Sequence, residues 1–261
     1  MPEITLNGRK VEVKAGQTVL EVARRYSVFI PTLCHHPGLG PYGACRLCLV
    51  EIKKGFRLGL SSSCALPAMD GLVVETDSPP VRDGRRLVAE LLLARASESR
   101  EIRALARSLG VESTDFPKKD ELCILCGRCV RACKALGINA ISFVKRGAGR
   151  HVAVPFDKPS AQCVACQACV TVCPTGAIKA KVTPTEVEMV EWRTVQPLQR
   201  CTGCGEPFVT GRQQARIDGI VNAGHQPRAG LCPRCRRRET ARDVASIPDT
   251  AYRGTQPTMA T

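Results

Sequence analysis

The chain has 261 residues, a formal net charge of +14 and 44% hydrophobic residues, yet only 4% aromatics and as many as 16 cysteines. That is room for two or three small domains, whose cores, poor in large side chains, need metals or cross-links to hold them. No basic stretch leads into an apolar one at the N-terminus, and the longest apolar run (87–94) is broken by Glu90, which excludes a secretory signal and a membrane span and favours a cytoplasmic, reduced metal protein over a disulfide scaffold.

Ile4-Thr5-Leu6 and Lys10-Val11-Glu12-Val13-Lys14, joined at Asn7-Gly8, predict a β-hairpin with a tight turn. Thr18 and Glu21 are spaced as a capping box, predicting a helix over 18–26 with Val19, Val22 and Ala23 inward. A Gly/Pro-rich loop runs to Gly43, and strands are expected at 49–53 and 72–75. That order suits a β-grasp module over 1–80, with Pro79-Pro80 as its boundary. The segment 81–115 reads as a charged, amphipathic helix or helix pair closing at Gly110, with Leu87, Leu91, Ala94, Leu105 and Leu109 apolar. A third module is expected over 116–183, then a strand-like connector with Pro184 and Pro197, a small unit at 198–240, and a loose polar tail at 246–261. The chain is therefore read as α+β.

The third module contains a repeat. Cys123, Cys126, Cys129 and Cys133 recur at an offset of 40 residues as Cys163, Cys166, Cys169 and Cys173. Three cysteines at C-x-x-C-x-x-C wrap one corner of a cubane, and the fourth reaches the neighbouring cluster. Cys123, Cys126, Cys129 and Cys173 are thus read as ligands of one [4Fe–4S] cluster, and Cys163, Cys166, Cys169 and Cys133 as ligands of a second. Pro174 follows the last cysteine as the motif expects, while Lys134 stands where the first repeat would have its proline. Gly127, Ala132, Ala165, Ala168 and Val170 between the ligands leave room for the clusters.

Two further sets of four complete the inventory. Cys34, Cys45, Cys48 and Cys64 on the β-grasp module suit a [2Fe–2S] cluster, with the Gly38–Gly43 stretch letting backbone amides approach the sulfurs. His35 and His36 invite a Rieske alternative, but four cysteines are already at hand, and the histidines are read as loop residues near the cluster. Cys201, Cys204, Cys232 and Cys235 form two C-x-x-C knuckles, a ribbon-like set for structural zinc, with iron or a cluster as the alternative. Arg234, Arg236, Arg237 and Arg238 beside it read as a docking or solvated face, or else as a nucleic-acid contact.

Ile30-Pro-Thr-Leu-Cys34-His-His-Pro-Gly-Leu39, followed by Gly43-Ala-Cys45-Arg-Leu-Cys48-Leu-Val-Glu51, resembles the start of a known group of proteins. It comprises the small diaphorase subunit of NAD-reducing nickel–iron hydrogenases, the N-terminal part of the large iron–sulfur subunit of respiratory complex I, and NAD-linked formate dehydrogenases. The resemblance implies an electron-transfer subunit without a substrate site of its own. Such a subunit passes single electrons between a flavin-bearing, NAD(P)H-reactive subunit and a catalytic subunit of hydrogenase or formate dehydrogenase type. One departure stands out: the group often carries a further [4Fe–4S] motif of one His and three Cys, where this chain has Arg86-Leu-Val-Ala-Glu-Leu-Leu-Leu93. The segment Cys201-Thr-Gly-Cys-Gly-Glu-Pro-Phe208 is similar to a tail on ferredoxin-type subunits of formate-hydrogenlyase-like complexes. No G-x-G-x-x-G opens a helix after a strand, and no P-loop or haem-attachment motif occurs. The alternative reading is a redox-sensing iron–sulfur protein that binds nucleic acid through its basic C-terminal ribbon; the scattered aromatics argue against it.

Overall fold

The computed structural model describes residues 2–119, 121–220, 228 and 230–247. The expected loose tail lies outside the described residues from 248 onward.

Strands β1 (Glu3–Leu6) and β2 (Arg9–Glu12) pair antiparallel with Leu6 opposite Arg9. Asn7 and Gly8 between them take φ of 50° and 77°, the left-handed pair that a two-residue hairpin turn needs. Helix α1 (Val19–Arg25) is opened by a complete capping box, in which Thr18 Oγ1 accepts the Glu21 N–H and Glu21 Oε2 accepts the Thr18 N–H. Strands β3 (Leu49–Lys54), β4 (Gly59–Ser62) and β5 (Val73–Glu75) complete a sheet of order β2-β1-β5-β3-β4, with β1 and β5 parallel. Val19, Leu20, Val22 and Ala23 of α1 pack under it against Ile4, Leu6, Val50, Ile52 and Val74. Strand β4 has no apolar alternation in its Gly-Leu-Ser-Ser sequence, so only its pairing with β3 identifies it.

Pro79-Pro80 opens helix α2 (Pro79–Arg95) rather than preceding it. The first turn of a helix has no use for those N–H groups, so prolines sit there at no cost. A second helix, α3 (Arg100–Ser108), follows and ends at Gly110, whose φ is 75°. The inward face of α2 runs through Val81, Arg85, Ala89 and Leu93, while Leu87 and Leu91 stand about half exposed. The apolar residues of α2 therefore do not form one inward stripe.

The repeat is visible in the backbone. Leu125 and Ala165 take φ of 54° and 53°, and Gly127 and Gln167 take 70° and 61°. Each second member of these pairs caps a short helix, α4 (Arg128–Ala135) and α5 (Ala168–Thr171). Between the helices lie the paired strands β6 (Ser142–Val144) and β7 (His151–Ala153).

By packing, the chain divides into two units: one runs through Cys163 and includes Gln167–Lys179 and Val190–Trp192; the other holds Val164–Cys166, Ala180–Met189 and the residues from Arg193 on. The second unit is more than a connector. Strands β8 (Ala180–Val182), β9 (Glu186–Met189), β10 (Thr194–Arg200) and β11 (Pro207–Thr210) form an antiparallel sheet of order β11-β10-β9-β8. Pro197 stands where the β9 ladder ends and the β11 ladder has not begun, a place in a strand that tolerates its missing donor. Helices α6 (Gly211–Ile220) and α7 (Pro233–Ala245) follow. Among the described residues no helix is long and apolar enough to cross a membrane.

Candidate metal centres

All sixteen cysteines are free thiols. Cys34 lies in the loop after α1, Cys45 and Cys48 lead into β3, and Cys64 follows β4; all four are buried. Their sulfurs are brought together as a chain of contacts. The Cys45 and Cys64 thiols both bond to Cys34 Sγ and pull its pKa down to about 2, while a bond from the Cys64 thiol lowers Cys48 to about 6. Cys45 and Cys64, the donors, are pushed up in turn. Backbone amides do approach the sulfurs, but they come from Ala44 and Cys45, just past the glycine-rich stretch; the Cys45 N–H lies 3.4 Å from Cys34 Sγ. His36 Nδ1 accepts the Gly38 N–H at 3.1 Å, and His35 Nδ1 lies 3.3 Å from the Arg24 guanidinium. Burial and that neighbouring charge keep His35 below its ordinary pKa.

Cys123, Cys126, Cys129 and Cys173 line one cavity of about 280 Å³, together with Ile124, Ile178 and Trp192. Burial pushes the Cys123 and Cys126 thiols up, and Cys129 up to about 12. A thiol so desolvated ionises only beside positive charge, which iron supplies. Four sulfurs around a common apolar cavity fit an iron–sulfur group. Helix α2 braces the site: Arg95 Nε donates to the Cys123 carbonyl at 2.8 Å, and Nη2 pairs with Glu121 at 2.6 Å.

In the remaining set of the repeat, Cys163 and Cys133 are buried, and Cys166 is half-buried between the left-handed residues Ala165 and Gln167. Cys133 Sγ accepts the Ala140 N–H at 3.2 Å. Cys169 Sγ accepts the indole N–H of Trp192 at 3.5 Å.

The four C-terminal sulfurs, of Cys201, Cys204, Cys232 and Cys235, all lie within 4.8 Å of one another. Cys201 Sγ accepts N–H groups from Cys232 (3.2 Å) and Gly203 (3.4 Å), and Cys232 Sγ accepts that of Cys235 (3.5 Å). The Cys232 amide leads in lowering Cys201 to about 6, while the Cys204 thiol pushes Cys235 up to about 12. Gly203 is required sterically, because a Cβ there would meet Leu231 Cδ2 at 2.9 Å. Such a tetrad, its sulfurs already polarised by backbone donors, fits a tetrahedral ion. Arg234 bonds to Cys204, and Arg236 Nη2 reaches the Leu231 carbonyl at 3.4 Å, so part of the basic cluster is used inside this unit.

Sequence reasoning missed the arginines between the ligands. On α4, Arg128 donates to the His35 carbonyl, and Arg131 donates to the carbonyls of Cys34 and, at 2.6 Å, Gly40. The Arg131 guanidinium also lies 5.0 Å from the centre of the Tyr42 ring. Cys34, Cys45, Leu33 and Leu47 share one apolar core with Ile124 and Cys126. The signal was present in Cys126-Gly-Arg-Cys-Val-Arg-Ala-Cys133: two long cations on a helix whose cysteines point the other way.

With this geometry in hand, two families match the chain: a 2Fe-2S iron-sulfur cluster binding domain over residues 2–79, and a 4Fe-4S dicluster domain over residues 122–177. The chain is 33% identical over 234 residues to an iron–sulfur-type component of the NADH-quinone oxidoreductase of Rhizobium meliloti (strain 1021), covering 78% of this chain and 27% of that protein. It is 34% identical over 212 residues to the NADP-reducing hydrogenase subunit HndD of Solidesulfovibrio fructosivorans, covering 68% of this chain and 36% of that protein. The chain thus spans about a quarter to a third of the length of these relatives. Among solved structures, a chain of an NAD+-reducing [NiFe]-hydrogenase in the H2-reduced state superimposes with a TM-score of 0.59 at 30% identity, over 67% of this chain and 86% of that one.

Proposed function

The chain belongs to the family of iron–sulfur subunits found in NADH-quinone oxidoreductases and NAD(P)-reducing hydrogenases, and from that premise we propose that it relays single electrons between a flavin-bearing, NAD(P)H-reactive subunit and a catalytic subunit of hydrogenase or formate dehydrogenase type. In this reading Cys34, Cys45, Cys48 and Cys64 hold a [2Fe–2S] cluster. Cys123, Cys126, Cys129 and Cys173 hold one [4Fe–4S] cluster, and Cys163, Cys166, Cys169 and Cys133 hold the other. Bound in low-dielectric pockets, such clusters supply one-electron redox chemistry with little reorganisation, which a hydride-accepting flavin requires on its other side.

The observation that carries the reading is the continuous packing from the N-terminal ligands to the first cubane motif. Cys34 and Cys126 share one apolar core, and Arg128 and Arg131 pin the Cys34 loop to α4. These residues fix the separation of two redox sites and keep water from between them, and a relay needs both. The helix standing where relatives often carry an additional His-ligated motif contributes a strut instead, through Arg95 on the Cys123 carbonyl. Cys201, Cys204, Cys232 and Cys235 are proposed to hold zinc, with a structural role.

Metal analysis and EPR on anaerobically purified chain test this. The expected content is about ten irons and about one zinc per chain, with three reducible spin systems. A preparation holding zinc alone overturns the proposal.

A further inference from the structure

Trp192 is the only tryptophan in the chain, and it comes from outside both cysteine repeats. It is 3% exposed. Its position is fixed through its neighbours: the Val190 N–H bonds to the Lys179 carbonyl at 3.2 Å, and Glu191 Oε2 accepts the Lys179 N–H at 2.7 Å. The indole has two contacts of different kinds. Its ring lines the cavity shared by Cys123, Cys126, Cys129 and Cys173, and its Nε1–H points at Cys169 Sγ, 3.5 Å away. A ring chosen for bulk alone has no need of a donor, and a buried indole N–H must find an acceptor. Here the acceptor is a cysteine of the second ligand set.

We propose that Trp192 tunes the second cubane, its indole N–H holding that cluster's reduction potential up; this rests on the reading of Cys169 as a [4Fe–4S] ligand. When one electron arrives, the cluster and its thiolates gain a unit of negative charge while no bond breaks and the indole proton stays on Nε1. A fixed N–H dipole aimed at the ligand sulfur stabilises the more negative state more than the less negative one. In a dry site that difference is not screened away. Trp192 touches neither substrate nor iron in this account. It is a positioning residue that acts through Cys169.

The full chain serves for two measurements. In a redox titration followed by EPR, Trp192→Phe keeps an aromatic ring and removes the donor. One cubane couple is expected to move to lower potential, by about a tenfold shift in its oxidised-to-reduced ratio, about 59 mV for one electron. The [2Fe–2S] couple serves as the unshifted internal control. Because there is a single tryptophan, growth on 15N-indole tryptophan labels this site alone, and pulsed EPR of the reduced wild-type chain is expected to show a 15N modulation on one cubane signal. The second measurement needs no variant to fold. Two cubane signals without that modulation, and with both couples unmoved in Trp192→Phe, overturn the role of Trp192 and leave the cluster reading standing. Absence of cubane signals from the wild type overturns both together.

Discussion

Arg85 is the plainest case of a side chain whose identity only its surroundings explain. It lies on the inward face of α2 at 6% exposure, its Nη2 donates to the Leu49 carbonyl at 2.7 Å, and its Nε has no partner. Burial lowers its pKa, offset in part by Asp77 and by the Cys48 thiolate, so a buried cation faces the proposed [2Fe–2S] site. Positive charge near a ligand stabilises the reduced cluster. Arg85→Met fills similar volume without the charge. It should lower the [2Fe–2S] potential by on the order of 59 mV, a tenfold change in the couple, while the unpaired Leu49 carbonyl costs about 1–3 kcal/mol of stability. Redox titration and denaturant midpoints read the two effects separately, and an unmoved potential would reduce Arg85 to a packing residue.

At the scale of elements, α4 has two jobs on two faces. Cys129 and Cys133 point inward, while Arg128 and Arg131 extend from the same helix to the carbonyls of the Cys34 loop. Close approach is possible because Gly127 has no side chain; a Cβ there would sit 3.0 Å from the Tyr42 ring. Hydrogen bonds from a charged donor contribute about 1.5–3 kcal/mol each, so Arg131→Gln should loosen the N-terminal cluster loop specifically. The expected outcome under a chelator challenge is faster bleaching of the [2Fe–2S] absorption, with the cubane EPR signals retained. Equal loss of all signals would show that Arg131 supports the fold at large. The capping box of α1 and the Asn7-Gly8 turn, by contrast, were legible from sequence, because each depends on residues three or fewer apart. Strand β4 was not legible: its partner is β3, and no local pattern marks it.

At the scale of the whole molecule, the C-terminal unit stands on its own metal. Its core of Leu231 and Phe208 around Cys201, Cys232 and Cys235 is too small to hold without one. Structural zinc in comparable sites contributes about 10–16 kcal/mol of apparent binding energy. Cys235→Ser should therefore abolish zinc retention and leave the segment after β10 open to limited proteolysis, while the iron content stays at the wild-type value. Loss of iron in that variant would mean that the ribbon also supports cluster assembly. The +14 formal charge belongs to the bare chain; clusters ligated by thiolates offset part of it, and the remainder suits an acidic protein partner.

What the sequence determined by itself was the cysteine sets and the chemistry they suggest. Spacings of two and three residues dictate which sulfurs can face one ion, and the offset of 40 residues from Cys123 to Cys163 reappears as matched left-handed residues at Leu125 and Ala165. Only the tertiary structure decided which groups surround those sulfurs. Arg85, Arg95, Arg131 and Trp192 reach their targets over separations of 36, 28, 97 and 23 residues. Ligation is a local property of the chain. The placing of charge and of donor groups around a ligand depends on the packing of distant elements, which no spacing records.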